Sequence, residues 1–375
     1  MTHNPLKAKA QEILSLANIT INGKNPWDIR VNNEQFYHRV LSGGSLALGE
    51  SYMDGWWDAD ELDSFFDHLL LVPNVEKQVG IDLATILEIP KAALLNMQTK
   101  SRSHKVADEH YDLGNDFYET MLDPYMQYTC AYWKDSKDLN QAQENKLDLI
   151  CRKAMLKKGE TVLELGCGWG GFARFAAANY GVQVTGYNIS KEQVAYEREK
   201  SKGLSVEFRL EDYRDAKGSY DKVVSIGMAE HVGYRNFRAF METADSCLKP
   251  GGIFLLHTIG GNKSAKRIEP WLGKYIFPGA MLPSIAQLSA AAEGLFVMED
   301  WHNMSTNYDH TLIAWWENFD RNWPTTKGGK FDERFYRMWK YYLLSCAGSF
   351  RARKNQLWQV VYSKGGVRGG YESVR

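Results

Sequence analysis

Thr161 to Gly171 reads TVLELGCGWGG, an apolar run broken by one acid and followed by Gly166, Gly168, Gly170 and Gly171. A short run that is apolar throughout except for Glu164 marks a buried parallel strand. The next residues, Phe172 to Tyr180, have helical spacing. A strand, a glycine turn and a helix start together let backbone approach a ligand closely, because glycine turns tightly and carries no Cβ. Gly166, Gly168 and Gly171 also satisfy G-x-G-x-x-G. A dinucleotide-binding fold adds an acid about 20 residues on, at the tip of its second strand, to hold the ribose. Here the second strand, VQVTGYNI (182–189), ends near Asn188 with no acid beside it. The acids Glu211 and Asp212 instead close the third strand, VEFRLED. That placement argues against a nicotinamide-dependent oxidoreductase.

From Glu160 onward β and α patterns alternate, with strands expected near 160–166, 182–189, 206–212, 220–228 and 251–260. Helices are expected between them near 171–180, 191–203 and 234–248, and Lys249-Pro250-Gly251-Gly252 stops the last one. Phe296–Asn303 and Leu357–Lys364 are candidates for strands six and seven. This is the pattern of a doubly wound α/β sheet. The E/D-x-G-x-G-x-G motif with its late acidic pair resembles class I S-adenosylmethionine methyltransferases. The resemblance implies a Rossmann-like, mixed seven-stranded sheet.

A chain of 375 residues has room for two domains. Residues 1–100 have their own character: Pro5–Ala17 and Asp60–Leu71 read as helices, and 45–57 is dense in glycine and aromatics. We expect a small, mainly helical N-terminal domain there, for packing, lipid approach or homodimer contact. Residues 101–375 are then the catalytic domain, after a polar linker at Thr99–His110. Lys and Arg number 45 against 46 Asp and Glu, so no broad basic footprint for nucleic acid exists. The five scattered cysteines resemble reduced thiols of a cytoplasmic protein, and no pair has zinc-ligand spacing. No signal-peptide pattern and no 18-residue apolar window occur. Gly261–Pro283 interleaves Lys263, Lys266, Arg267 and Lys274 with Trp271, Tyr275 and Phe277. Such a mixture suits either an anionic membrane surface or a solvated loop with an aromatic anchor.

HYDLGNDFY (110–118), QYTCAYW (127–133), LELGCGWGG (163–171), GMAEHVG (227–233), LLHTIG (255–260) and the run WHN…YD…TL…W (301–315) follow one another in order. Together they resemble the cyclopropane-fatty-acid-phospholipid synthases and the related mycolic acid cyclopropane synthases. GSLALGESYMDGWW (44–57) resembles the N-terminal domain of the bacterial phospholipid enzymes. The resemblance implies transfer of the S-adenosylmethionine methyl carbon to a cis double bond of a phospholipid acyl chain. It further implies a bound bicarbonate that removes a proton as the ring closes, and peripheral attachment to the inner face of the cytoplasmic membrane.

Carried over motif by motif, the bicarbonate cradle is Cys130, Glu230, His257, the Ile259 backbone and Tyr308. Glu230 is expected to keep bicarbonate basic by accepting its hydrogen bond. For S-adenosylmethionine, Gly166, Gly168 and Gly170 take the methionine part, and Glu164 orients the turn or meets the amino group. Gln193, with Asn188 at the strand tip, reaches the ribose; Asp212 and Tyr213 meet the adenine; Tyr128 and Thr129 close over the carboxylate. Ala229 stands where the family usually has Phe, which bears on chain or double-bond preference. The alternatives are a methyltransferase making a methyl-branched lipid, and one acting on a soluble small molecule.

Overall fold

The computed structural model describes residues 4–73, 113–328 and 331–375. The expected linker at 99–110 and the first three residues of HYDLGNDFY lie outside the described residues. The chain divides into two compact units. One takes its described residues from 4–73, 268–278 and 312–355; the other takes 113–267, 279–311 and 356–375.

The second unit is built on a seven-stranded sheet. Its strands are β1 (Thr161–Leu165), β2 (Gln183–Asn188), β3 (Val206–Leu210), β4 (Tyr220–Ile226), β5 (Leu248–Gly261), β6 (Val297–Asn303) and β7 (Asn355–Ser363). They lie in the order β3-β2-β1-β4-β5-β7-β6. The pairs from β3 to β5 are parallel, whereas β6 runs antiparallel to β7. This is the mixed α/β sheet expected from the sequence.

Strand periodicity sorts the core into two faces. Leu163, Leu165, Val223, Phe254, Leu256, Val360 and Tyr362 belong to one buried cluster, with Phe237, Phe240 and Leu288 from helices Phe237–Cys247 and Ile285–Ala292. Val162, Val224, Ile253, Leu255 and Val361 belong to the other, with Leu147, Ile150 and Phe172 from helices Leu139–Lys153 and Gly171–Tyr180. Both faces are covered, which explains why β1 reads as continuously apolar. The helix expected at 234–248 is Phe237–Cys247, because Leu248 has already turned extended to open β5.

The first unit is mainly helical. Asn4 caps helix Pro5–Ser15 by accepting from the Leu6 and Lys7 amides. Helix Gln35–Met53 kinks at Gly44, whose φ of 58° suits glycine. The helix expected at 60–71 is Leu62–Leu71, preceded by a two-residue ribbon of Arg30–Val31 with Trp57–Asp58. Residues 312–326 of helix Thr306–Thr326, and helix Glu333–Arg351, complete the unit. Its centre is aromatic: Trp57 packs against Tyr52 and Phe65, and Tyr341 against Tyr52, Phe66 and Trp271. Trp271 is fully buried, so of the two readings of 261–283 it fits the loop with an aromatic anchor. Its ring lies against the backbone of Gly49, where any Cβ would collide with it. Lys274 and Tyr275 both bond Glu50.

Candidate active site

The glycine turn sits at the carboxyl end of β1, where open α/β sheets bind ligands. Gly166, Gly168 and Gly170 all have positive φ, of 79°, 56° and 69°. A Cβ on Gly166 would strike Met228 and one on Gly170 would strike Phe208, whereas one on Gly168 would meet nothing within 4 Å. The open side of the turn is therefore at Gly168. Asn188 at the tip of β2 holds that turn, its Nδ2 donating to the Gly168 carbonyl at 2.7 Å, to Gln193 Oε1 at 3.1 Å and to Glu197 Oε1 at 3.1 Å.

Buried polar atoms without partners mark what the turn is built to receive. Glu164 Oε2, Gln193 Nε2 and Glu197 Oε2 are buried and have no hydrogen-bond partner among the described residues. Burial, with the neighbouring Glu197 carboxylate, holds the Glu164 carboxyl well above the usual range. Burial likewise pushes Glu197 up to about 8. Two crowded acids beside an open glycine turn favour a ligand that brings positive charge. Glu197 also accepts from the Cys167 thiol at 3.3 Å.

The remaining expected cofactor residues are close by or differently engaged. Tyr128 packs edge-on against Tyr118, which also lies 4.8 Å from the Trp169 ring of the turn. Thr129 accepts from buried Lys146 at 3.0 Å, and its methyl would be struck by any Cβ on Gly227 at the end of β4. Asp212 is buried and grips Arg214, accepting from its amide at 2.9 Å and from Nε and Nη2 at 2.7 Å. Tyr213 stands beside it, packed edge-on to Phe240.

The five candidates for the anion cradle all belong to this unit. β4 and β5 pair Ile226 with His257, and the Gly227 amide donates to the His257 carbonyl at 2.9 Å. Glu230 opens the short helix Ala229–Val232 that follows β4. Its Oε1 accepts from the Ile259 amide at 2.6 Å, so that amide serves the carboxylate here. Among the described residues Glu230 Oε2 is buried without a partner, and so is His257 Nε2. Burial pushes Glu230 up to about 7 and, helped by Lys146 and Lys153, holds His257 well below its ordinary value, hence neutral. Cys130 is fully buried, and burial raises its thiol pKa, so it stays protonated. Its neighbours fasten to helix Thr306–Thr326: Thr311 Oγ1 accepts from the Ala131 amide at 3.1 Å and from Trp133 Nε1 at 3.0 Å, and Asn307 accepts from the Trp133 amide at 2.8 Å. Tyr308 is buried in the first turns of that helix.

Three residues of this region escaped the sequence reading. Gln359 of β7 is fully buried with Nε2 3.3 Å from His257 Nδ1. Lys146 and Lys153 project from helix Leu139–Lys153 and are both wholly buried. Lys146 donates to Gln127 as well as Thr129. Lys153 lies 2.9 Å from His302 Nδ1 and 3.6 Å from Asp300, and burial lowers it to about 7. The signal was there as polar residues on an apolar stripe: Gln143, Lys146 and Lys153 share spacing with Leu139, Ala142, Leu147 and Ile150. Among the described residues no cluster of His, Cys, Asp and Glu could hold a metal ion.

Residues 98–360 match the family model described as mycolic acid cyclopropane synthetase. The chain is 52% identical over 366 residues to the cyclopropane-fatty-acyl-phospholipid synthase of Escherichia coli strain K12, covering 98% of this chain and 95% of that protein. Among solved structures it resembles the cyclopropane synthase MmaA2 from Mycobacterium tuberculosis, with a TM-score of 0.66 and 29% identity over 72% of this chain and all of that one. It also resembles the mycolic acid cyclopropane synthase CmaA1 complexed with SAH and CTAB, with a TM-score of 0.64, 31% identity, and 70% of this chain and 98% of that chain covered.

Proposed function

The chain belongs to the mycolic acid cyclopropane synthetase family, and from that premise we propose that it is an S-adenosylmethionine-dependent cyclopropane-fatty-acyl-phospholipid synthase. The reaction breaks the bond from sulfur to the methyl carbon, forms two carbon–carbon bonds across a cis double bond, and releases one proton from that methyl carbon. The observation that carries the reading is two buried polar atoms with no partner among the described residues, Glu230 Oε2 and His257 Nε2, at the carboxyl ends of adjacent strands beside the glycine turn. They fit a small hydrogen-bonding anion, as Glu164 and Glu197 fit a cation.

When bound, S-adenosylmethionine supplies the electrophilic methyl carbon and bicarbonate supplies a base for the departing proton. The glycine turn, with Glu164 and Gln193, binds and orients the cofactor. Neutral His257 donates a hydrogen bond toward the anion without protonating it. Glu230 accepts one, which sustains the anion's basicity, while the Ile259 amide holds the carboxylate in place. Cys130 keeps its thiol proton and so is not a competing nucleophile for the methyl group. We further propose that the acyl chain comes from a bilayer and that the protein acts at its surface as a peripheral enzyme; no described helix is long and apolar enough to cross a membrane.

Incubating the purified protein and S-adenosylmethionine with vesicles tests this reading by release of S-adenosylhomocysteine. Release is expected with unsaturated phospholipid, not with its saturated counterpart, and should slow when bicarbonate is stripped from the buffer. Equal release with both lipids would refute the double bond as acceptor. Indifference to bicarbonate would remove the bound base.

A further inference from the structure

We propose that Gln359 is a positioning residue that fixes the His257 imidazole with its proton on Nε2, so that His257 presents a donor, and not a lone pair, to the anion site. The inference deepens the reading above and rests on it.

A glutamine amide has one donating and one accepting end. Here the donating Nε2 faces His257 Nδ1 at 3.3 Å. Nδ1 must then be the accepting, unprotonated nitrogen, and a neutral imidazole carries its one proton on Nε2. That Nε2 is the buried atom without a partner among the described residues. The opposite amide orientation would draw the proton to Nδ1 and leave a lone pair on Nε2, facing an anion already beside the accepting Glu230 carboxylate. Such a site would repel what it is built to hold.

Stability does not explain the residue. Gln359 stands in the apolar run LWQVVYS of β7, with Trp358 and Val360 buried on either side. Its own Oε1 is buried without a hydrogen bond to any described residue. A half-satisfied amide in an apolar strand costs the fold, so a residue that breaks the local rule points to a demand from the site. The arrangement across the sheet is consistent. Val361 and Leu255 belong to one core face, and Gln359 and His257 share its parity on their strands.

The test reads the tautomer directly, by nitrogen NMR of protein labelled in its histidine rings, with the His257 signal assigned by its loss in His257→Gln. In the unmutated protein the proton should sit on Nε2. In Gln359→Glu the new carboxylate should draw it to Nδ1, and kcat should fall about tenfold or more while KM for S-adenosylmethionine stays within about twofold. Gln359→Met keeps the volume and removes the amide; it should melt at the same or a higher temperature and lose kcat to a similar degree. A proton on Nδ1 in the unmutated protein would overturn the proposal. So would an unchanged tautomer in Gln359→Glu, or a normal kcat in Gln359→Met. The NMR measurement needs neither lipid nor turnover, so a failure of the tautomer is distinguishable from a failure of the vesicle assay.

Discussion

Glu230 has one carboxylate oxygen bonded to the Ile259 amide and the other buried with no partner among the described residues. A native fold tolerates such an atom when a ligand completes it. Replacing Glu230 by Gln keeps the size but presents a donor where an acceptor is needed. Turnover should fall by about a hundredfold or more, with affinity for S-adenosylhomocysteine changed less than about threefold by calorimetry. Unchanged turnover would take Glu230 out of the mechanism. At this scale a motif was enough to single out Glu230 and His257 as candidates, and the structure places them at the ends of adjacent strands. The sequence was not readable for Gln359, whose partner lies 102 positions away and meets it only through the order of strands.

At the scale of elements, the glycine turn and helix Lys191–Lys200 share a buried acid. Glu197 accepts from Asn188 and from the Cys167 thiol, and burial raises it to about 8. The folded protein thus holds a proton on Glu197 that the unfolded chain releases near the ordinary carboxylate range. Its contribution is intact at low pH and declines as pH rises toward about 8, at about 1.4 kcal/mol per pH unit in that window. Urea unfolding of Glu197→Gln should show this loss missing, so that the variant gains on the parent between roughly pH 5 and 8. A stability difference that does not change with pH would show that Glu197 ionises normally. Element boundaries followed the apolar periods of the sheet. The choice left open was Trp271: a mixture of cations and aromatics does not reveal which ring points inward as the anchor, and the receiving surface is Gly49, far away in sequence.

On the scale of the whole molecule, the N-terminal residues fold with 268–278 and 312–355 in one helical, aromatic-centred unit, and the sheet unit carries every candidate site residue. Composition had implied a separate N-terminal domain but could not have assigned those later stretches to it, because contacts and not chain continuity define the unit. A formal net charge of −1 leaves no global field to attract an anionic bilayer.

The most direct measurement uses S-adenosylmethionine with a fully deuterated methyl group, unsaturated phospholipid vesicles and the purified protein, followed by mass spectrometry and NMR of the recovered acyl chains. The expected product has lost its double bond and gained one ring methylene carrying two deuterons, the third having left as the transferred proton equivalent. An acyl chain bearing the methyl with all three deuterons, or no label in the lipid at all, would contradict ring closure on a phospholipid.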